Sequence, residues 1–253
     1  MPFEIFYESP AQMVLPERLL LYSLIYGLRP AMVLEIGTAE GGSAMIICAA
    51  MDAAERGKLV CVDPAPKIIP EHWERIAHRA TLLKGLSTDT EAIQRAAGSE
   101  DAQFDFVLVD GDHSYQGVLD DIAVVSRFVH NDSYILFHDA HYIEVREAID
   151  AALQQYPLVD CGLLSLAMTQ TDQLFRGHPV QWGGLRLVRF QPSHDKEVRL
   201  DQLPPLQPSE LDLVLQRIRE RSSQLSGWQG TVLRKTLKMA YRTLLGIGNR
   251  LGA

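Results

Sequence analysis

The sequence predicts an α/β fold: a doubly wound, mostly parallel sheet of seven strands with an antiparallel edge hairpin, followed by a helical C-terminal extension. Three observations carry this. Short apolar runs alternate with segments of helical period, which is the spacing of parallel strands joined by crossover helices. Several of these runs stop abruptly at a glycine or an acid, as in Glu35-Ile36-Gly37, Val62-Asp63, Val109-Asp110 and Phe137-His138-Asp139. Past Pro157 two apolar runs follow each other with no helix between them, which suits an antiparallel pair and not a crossover.

The elements follow in order. Pro16 to Leu28 has helical period, with proline near its start and Gly27 and Pro30 near its end. Met32 to Ile36 is a short buried strand, and Ser43 to Arg56 is a helix stopped by Gly57. Strand Leu59 to Val62, helix Glu71 to Arg79, strand Thr81 to Lys84 and helix Asp89 to Ala97 come next. Phe104 to Val109 and Tyr134 to Phe137 are strands on either side of a helix from Tyr115 to Val129, and Ile143 to Tyr156 is again helical. The last strands are Leu158 to Met168 and Leu185 to Phe190, with a loop from Thr169 to Gln181 and a sharp entry at Trp182-Gly183-Gly184. This makes residues 1–190 one α/β domain, 191–208 a proline-rich charged linker and 209–253 a helical extension.

Composition excludes several classes. With 253 residues, 47% hydrophobic and 22% charged, the chain is of globular composition and long enough to bury a large core. Cys48, Cys61 and Cys161 show neither paired nor metal-ligand spacing, and read as small buried hydrophobes. No run approaches the length of a bilayer span, and the N-terminus lacks a secretory pattern, so a cytoplasmic location is expected. The net charge of −8 argues against nucleic acid as a partner. That charge is uneven: from Ser226 onward the tail carries +5 and no acid, leaving −13 on the rest of the total of −8. A basic amphipathic tail helix suits contact with another protein, a second copy of the chain or a membrane surface.

Ligands of open parallel sheets sit beyond the carboxyl ends of the strands, where the strand order reverses. There the first strand runs into Glu35-Ile36-Gly37-Thr38-Ala39-Glu40-Gly41-Gly42-Ser43. The glycines allow a sharp turn and a close backbone approach, and the helix beyond offers free N–H groups. The spacing is not the Gly-x-Gly-x-x-Gly of pyrophosphate cradles. It suits a ligand that carries an amino acid and a ribose. Asp63 closes the second strand, where a carboxylate can accept from both ribose hydroxyls. A simple strand-to-helix turn and a turn aspartate before Pro64 are the bland alternatives.

These two motifs resemble those of class I S-adenosylmethionine-dependent methyltransferases, whose sheet is Rossmann-like. Phe106-Val107-Leu108-Val109-Asp110-Gly111-Asp112-His113-Ser114-Tyr115 and Ile135-Leu136-Phe137-His138-Asp139 extend the match to the branch of macrolide-sugar and aminocoumarin O-methyltransferases and cephalosporin-hydroxylase-like proteins. The similarity runs from about Pro16 to Phe190, and Asn131-Asp132-Ser133 stands where that family has a Pro-Gly-Gly turn. The resemblance implies a small-molecule substrate and S-adenosylmethionine as cofactor. Glu35, Gly37, Thr38, Gly41 and Ser43 would border its methionine end, Asp63 its ribose, Leu86 and Ser87 its adenine, and Asp110 its amino-acid end. It also implies a divalent ion on Asp110, His138 and Asp139, or on Asp112 in place of Asp110. His138 stands where the family has an acid, which shifts the preference from magnesium toward manganese or a similar ion. His113, Asp112 and His138 are the candidates for a catalytic base. O-methylation of a sugar or glycoside is the leading reading. A hydroxylase-like enzyme and a non-catalytic cofactor-binding module are the rivals.

Overall fold

The computed structural model describes residues 4–191. All belong to the first of two units, Met1–Asp195; the second, Lys196–Ala253, lies outside the described residues, as do nearly all of the expected linker and both expected C-terminal helices. No described helix is long and apolar enough to cross a membrane.

Nine strands and seven helices are described: α1 (Ile5–Glu8), α2 (Leu15–Leu28), β1 (Met32–Ile36), α3 (Gly42–Ala53), β2 (Lys58–Asp63), α4 (Pro70–Ile76), β3 (Ala80–Lys84) and α5 (Thr90–Ala97), then β4 (Phe104–Val109), α6 (Tyr115–Val125), β5 (Val129–Phe137), α7 (Ile143–Gln155), β6 (Leu158–Ser165), β7 (Thr169–Phe175), β8 (His178–Trp182) and β9 (Leu185–Phe190). The main sheet has seven strands in the order β3-β2-β1-β4-β5-β9-β6. Strands β1 to β5 pair in parallel, and β9 runs antiparallel to both β5 and β6. The expected mostly parallel sheet with its antiparallel strand is therefore present. The order reverses between β1 and β4, so the connections leaving their adjacent carboxyl ends run to opposite sides there.

Alternation along the central strands feeds two cores, one on each face. Val33, Cys61, Phe106, Leu108 and Leu136 pack with Leu21, Ile25, Ile46 and Met51 of α2 and α3. Leu34, Val60, Val107, Ile135 and Val188 pack with Ile93, Ile122, Val125 and Ile149 of α5, α6 and α7. Strands covered on both faces need near-continuous apolar sequence, which is why these runs were legible. The N-terminal segment is strapped over the first face. The Arg18 guanidinium donates to the carbonyls of Phe6, Ser9, Ala11 and Met13, and the Ser9 hydroxyl donates to the Gly42 carbonyl at 2.7 Å.

Three expectations are corrected. The helix from Tyr115 stops at Val125, because buried Phe128 and Val129 are drawn into the sheet, where Phe128 O accepts from Phe104 N at 2.8 Å. The stretch from Thr169 to Gln181 is not a loop but the ribbon β7–β8, closed by a two-residue turn, Arg176-Gly177, with φ of +51° and +81°. Positive φ at both turn positions matches the twist of a tight hairpin, but arginine is an uncommon occupant and gave no turn signal. Cys161, expected to be buried, is exposed, whereas Cys48 and Cys61 are buried.

Gly42 is where the N-terminal strap meets α3. A Cβ there would stand 2.0 Å from the Ala11 nitrogen. Gly42→Ala is therefore expected to lower unfolding stability by about 1–3 kcal/mol in urea denaturation, the usual cost of overpacking against fixed backbone. Unchanged stability would show that the strap yields freely.

Candidate active site

A cavity of about 890 Å³ opens at the carboxyl ends of β1, β2, β3, β4 and β5. At its floor, Gly37 has a φ of +87°, and a Cβ there would lie 1.9 Å from the Asp110 carbonyl oxygen. Only glycine permits that approach. Gly41, with φ of +80°, is the N-cap of α3. Glu35 is completely buried; its Oε1 accepts from the Ser43 hydroxyl at 2.6 Å, and its Oε2 has no hydrogen-bond partner. Burial pushes this carboxyl up to about 7, against the pull of the Ser43 hydrogen bond.

At the next strand end, Asp63 is held by three backbone amides. Its Oδ2 accepts from Thr38 N at 3.1 Å and Ala39 N at 2.8 Å, and its Oδ1 from Ala65 N at 2.7 Å. This anchors the carboxylate at the cavity wall, with acceptor capacity left on its oxygens. Beyond β3, Leu86 is exposed and Ser87 donates to Asp121 Oδ1 at 2.6 Å. Asp121 was not singled out in the sequence. Its carboxyl is buried, and burial followed by the nearby charges of Asp112 and Asp120 raises it to about 6.

The other end of the cavity holds a cluster of charge. His138 is buried, and both of its ring nitrogens face carboxylates: Nδ1 lies 3.0 Å from Asp110 Oδ1 and 3.4 Å from Asp139 Oδ2, and Nε2 lies 3.4 Å from Glu17 Oε2. Burial alone would lower its pKa, but Asp110, Glu17 and Asp139 together hold it at about 11. His113 Nε2 is 3.0 Å from Asp139 Oδ2 and 3.6 Å from Asp110 Oδ1, yet buried without a hydrogen bond of good geometry. Burial opposes its charge too, and Asp110 and Asp139 raise it to about 9. Burial pulls Asp110 up, but the two imidazoles outweigh it and keep the carboxyl below its ordinary value.

Glu17, from α2, is the member that sequence reasoning missed. It is 1% exposed, accepts from Gly184 N at 2.6 Å and Val14 N at 3.1 Å, and lies 3.4 Å from the Ser165 hydroxyl. Only its bond from Val14 N is local; its partners in the cluster lie more than a hundred residues away. Asp139 accepts from Gly183 N and has a φ of +52°, a strained conformation for a side-chain-bearing residue. Gly183 and Gly184, read as a sharp strand entry, thus also donate into the cluster. Trp182 lines the cavity, its ring edge-on to His113 at 5.5 Å and stacked on Tyr142 at 4.6 Å.

Of the residues singled out for a metal, Asp110 and Asp139 come together with His113: one ligand atom from each lies within 4.8 Å of the others. His138 instead has carboxylates against both nitrogens. Asp112 is turned into the α6 cap, accepting from Ser114 N at 2.9 Å and from its hydroxyl at 3.0 Å.

Comparison with known proteins bears on this arrangement. Residues 34–140 match the family model described as a methyltransferase domain. That match covers 107 of the 253 residues. The matched span runs from within β1 to the residues just after β5, and so contains every strand end that lines the cavity except those of the last strands. Solved structures share its fold. Cofactor-bound Rv0187 from MTB is 18% identical with a TM-score of 0.55, the alignment covering 75% of this chain and 88% of that one. The O-methyltransferase TomG from Streptomyces achromogenes, involved in tomaymycin synthesis and solved with SAM, is 17% identical with a TM-score of 0.54, covering 76% and 91%. The O-methyltransferase from Bacillus cereus in complex with SAH is 18% identical with a TM-score of 0.52, covering 72% and 85%. No curated protein matches the sequence.

The His138 environment sets a pH dependence. Its folded pKa of about 11 lies above the ordinary 6.5, so its stabilising contribution is complete below about pH 6.5 and lost as pH rises through 11. Wild-type melting temperature should therefore fall across that window more steeply than that of His138→Gln. Parallel curves would show that His138 carries no raised pKa.

Proposed function

We propose that the protein transfers the methyl group of S-adenosylmethionine to a hydroxyl of a small metabolite, a sugar or glycoside being the acceptor class its sequence motifs suggest. The observation that carries this is the juxtaposition, in one cavity, of an amino-acid and nucleoside cradle with a buried acid–imidazole cluster. A volume of about 890 Å³ is within the range of cofactor sites. Thr38 and Ser43 line the cavity, with Glu35 wholly buried behind them, and the Gly37–Asp110 contact brings bare backbone to the ligand. Asp63 supplies an anchored acceptor for ribose hydroxyls, and Ser87 and Asp121 stand at the adenine end. Acidic walls favour a cationic sulfonium electrostatically.

When bound, the cofactor supplies an electrophilic methyl group. The chain's task is then mainly positioning, because in-line approach of the acceptor oxygen dominates such a transfer. Asp110, His113 and Asp139 surround the place where the acceptor hydroxyl would sit, and Trp182 walls it from the side. Asp139 is the group placed to take the hydroxyl proton, and His113, kept cationic by Asp110 and Asp139, would hold the negative charge that develops on the oxygen. Asp110, His113 and Asp139 also fit a divalent cation, because a mixed carboxylate and imidazole set suits manganese and related ions. Such an ion would lower the pKa of the hydroxyl.

Two measurements test this. Calorimetry should show binding of S-adenosylmethionine and of its demethylated product, weakened about 10- to 100-fold in Asp63→Asn, as expected for losing a hydrogen bond to a charged group. No binding, or equal binding by the variant, overturns the cofactor assignment. Metal analysis after dialysis against manganese should give near-stoichiometric ion in the wild type and a large loss in Asp139→Ala. Equal content in both would remove the ion from the account.

A further inference from the structure

A second cavity, of about 260 Å³, is built by the start of α7 and the β7–β8 ribbon. It shares a wall with the first: Tyr142 lines the small cavity, Trp182 lines the large one, and their rings stack at 4.6 Å. Phe175 continues the wall, with its ring centroid 5.8 Å from that of Tyr142. An apolar ledge therefore runs from His113 at the reaction centre to the second cavity.

The chemistry of this cavity is opposite to that of the first. No carboxylate lines it, while His141, Arg146 and His178 do, on a body whose net charge is strongly negative. The Arg146 guanidinium makes no hydrogen bond or ion pair among the described residues, although Glu144 and Glu147 are close in sequence. Both of those acids are taken by Arg176, at 3.3 Å and 2.8 Å, and neither lines the cavity. His141 Nε2 is buried without a partner. No side chain caps α7 at its N-terminus, so the open N–H groups of its first turn add to the same field. At about 260 Å³ the space suits one functional group better than a whole cofactor.

We propose that this cavity is an anion subsite for the methyl acceptor. It takes a carboxylate or phosphate ester of the substrate, while the acceptor hydroxyl lies at His113 and Asp139 beyond the aromatic ledge. The proposal rests on the methyltransferase reading and deepens it: the acceptor is an anionic hydroxylated molecule with a flat or apolar middle. Arg146 is the residue that sets this specificity.

The test is calorimetry of the full chain, saturated with S-adenosylhomocysteine, against inorganic phosphate and, separately, acetate. Saturable binding of one or both is expected, and the stronger of the two identifies phosphate ester or carboxylate as the group. Arg146→Gln should weaken it at least about tenfold, the scale of a lost hydrogen bond to a charged group, with S-adenosylhomocysteine affinity unchanged. His178→Ala, on a different element, should weaken it as well. Absence of saturable binding to either anion, or wild-type binding by Arg146→Gln, overturns the subsite. Loss of S-adenosylhomocysteine binding in the wild-type chain would instead overturn the methyltransferase reading. With paired anionic and neutral hydroxylated acceptors, Arg146→Gln should raise KM for the anionic members and leave kcat and the neutral members unchanged. An equal effect on both, or none on either, removes the acceptor from the proposal.

Discussion

Three carboxylates and two imidazoles, Glu17, His138 and Asp139 buried and Asp110 and His113 half-buried, meet at the edge of one cavity and are the constraint on which the rest of the molecule depends. Glu17, Asp110 and Asp139 are acids that could not remain ionised in a protein interior without partners. His138 supplies a cation that touches all three, and His113 touches two of them. The members come from α2, the end of β4 and the end of β5. Through Glu17 and Asp139 they also hold the backbone of Gly183 and Gly184, which starts β9. Breaking such a buried cluster by removing one partner typically costs about 3–5 kcal/mol. The cluster therefore ties the N-terminal helix and the antiparallel end of the sheet to its parallel core.

The same arrangement divides the cavity into two chemical halves. At the β1–β2 end, Asp63 is anchored at the wall by the amides of Thr38, Ala39 and Ala65, and Glu35 lies buried behind that wall on Ser43. At the β4–β5 end carboxylates are crowded and compensated by imidazole. The first half suits recognition of a large cationic ligand by separate contacts. The second suits a small reacting group that must be held and must give up a proton. The switch point between β1 and β4 brings the halves together, since it is there that the Gly37 turn approaches the Asp110 carbonyl.

How much of this was legible in the sequence follows from the physics of each part. Strands buried on both faces must be apolar throughout, so Met32 to Ile36 and Phe104 to Val109 announced themselves, and the residues at their ends marked the cavity. Gly37, Asp63, Asp110, His113 and Asp139 could be named because a ligand at strand ends needs them in those places. Glu17 could not, because its role exists only through contacts with His138 and Gly184 across the fold. Trp182 carries no signal in one dimension beyond the strand entry it precedes, whereas the fold brings it against His113. The β7–β8 ribbon was hidden by a polar, half-exposed sequence and an Arg-Gly turn. The choice between His113 and His138 as the histidine grouped with Asp110 and Asp139 was equally closed to sequence. It depends on which ring has both nitrogens already engaged.

The central claim is that His138 is a permanent buried imidazolium, held by carboxylates on both of its nitrogens. Long-range nitrogen–proton NMR correlation of the histidine side chains reads this directly, since it distinguishes the doubly protonated ring from each neutral tautomer. The account predicts that His138 shows the doubly protonated pattern with no titration between pH 6 and about 9, well below its folded pKa of about 11. A neutral His138 at pH 8, or a midpoint near the ordinary 6.5, would contradict it.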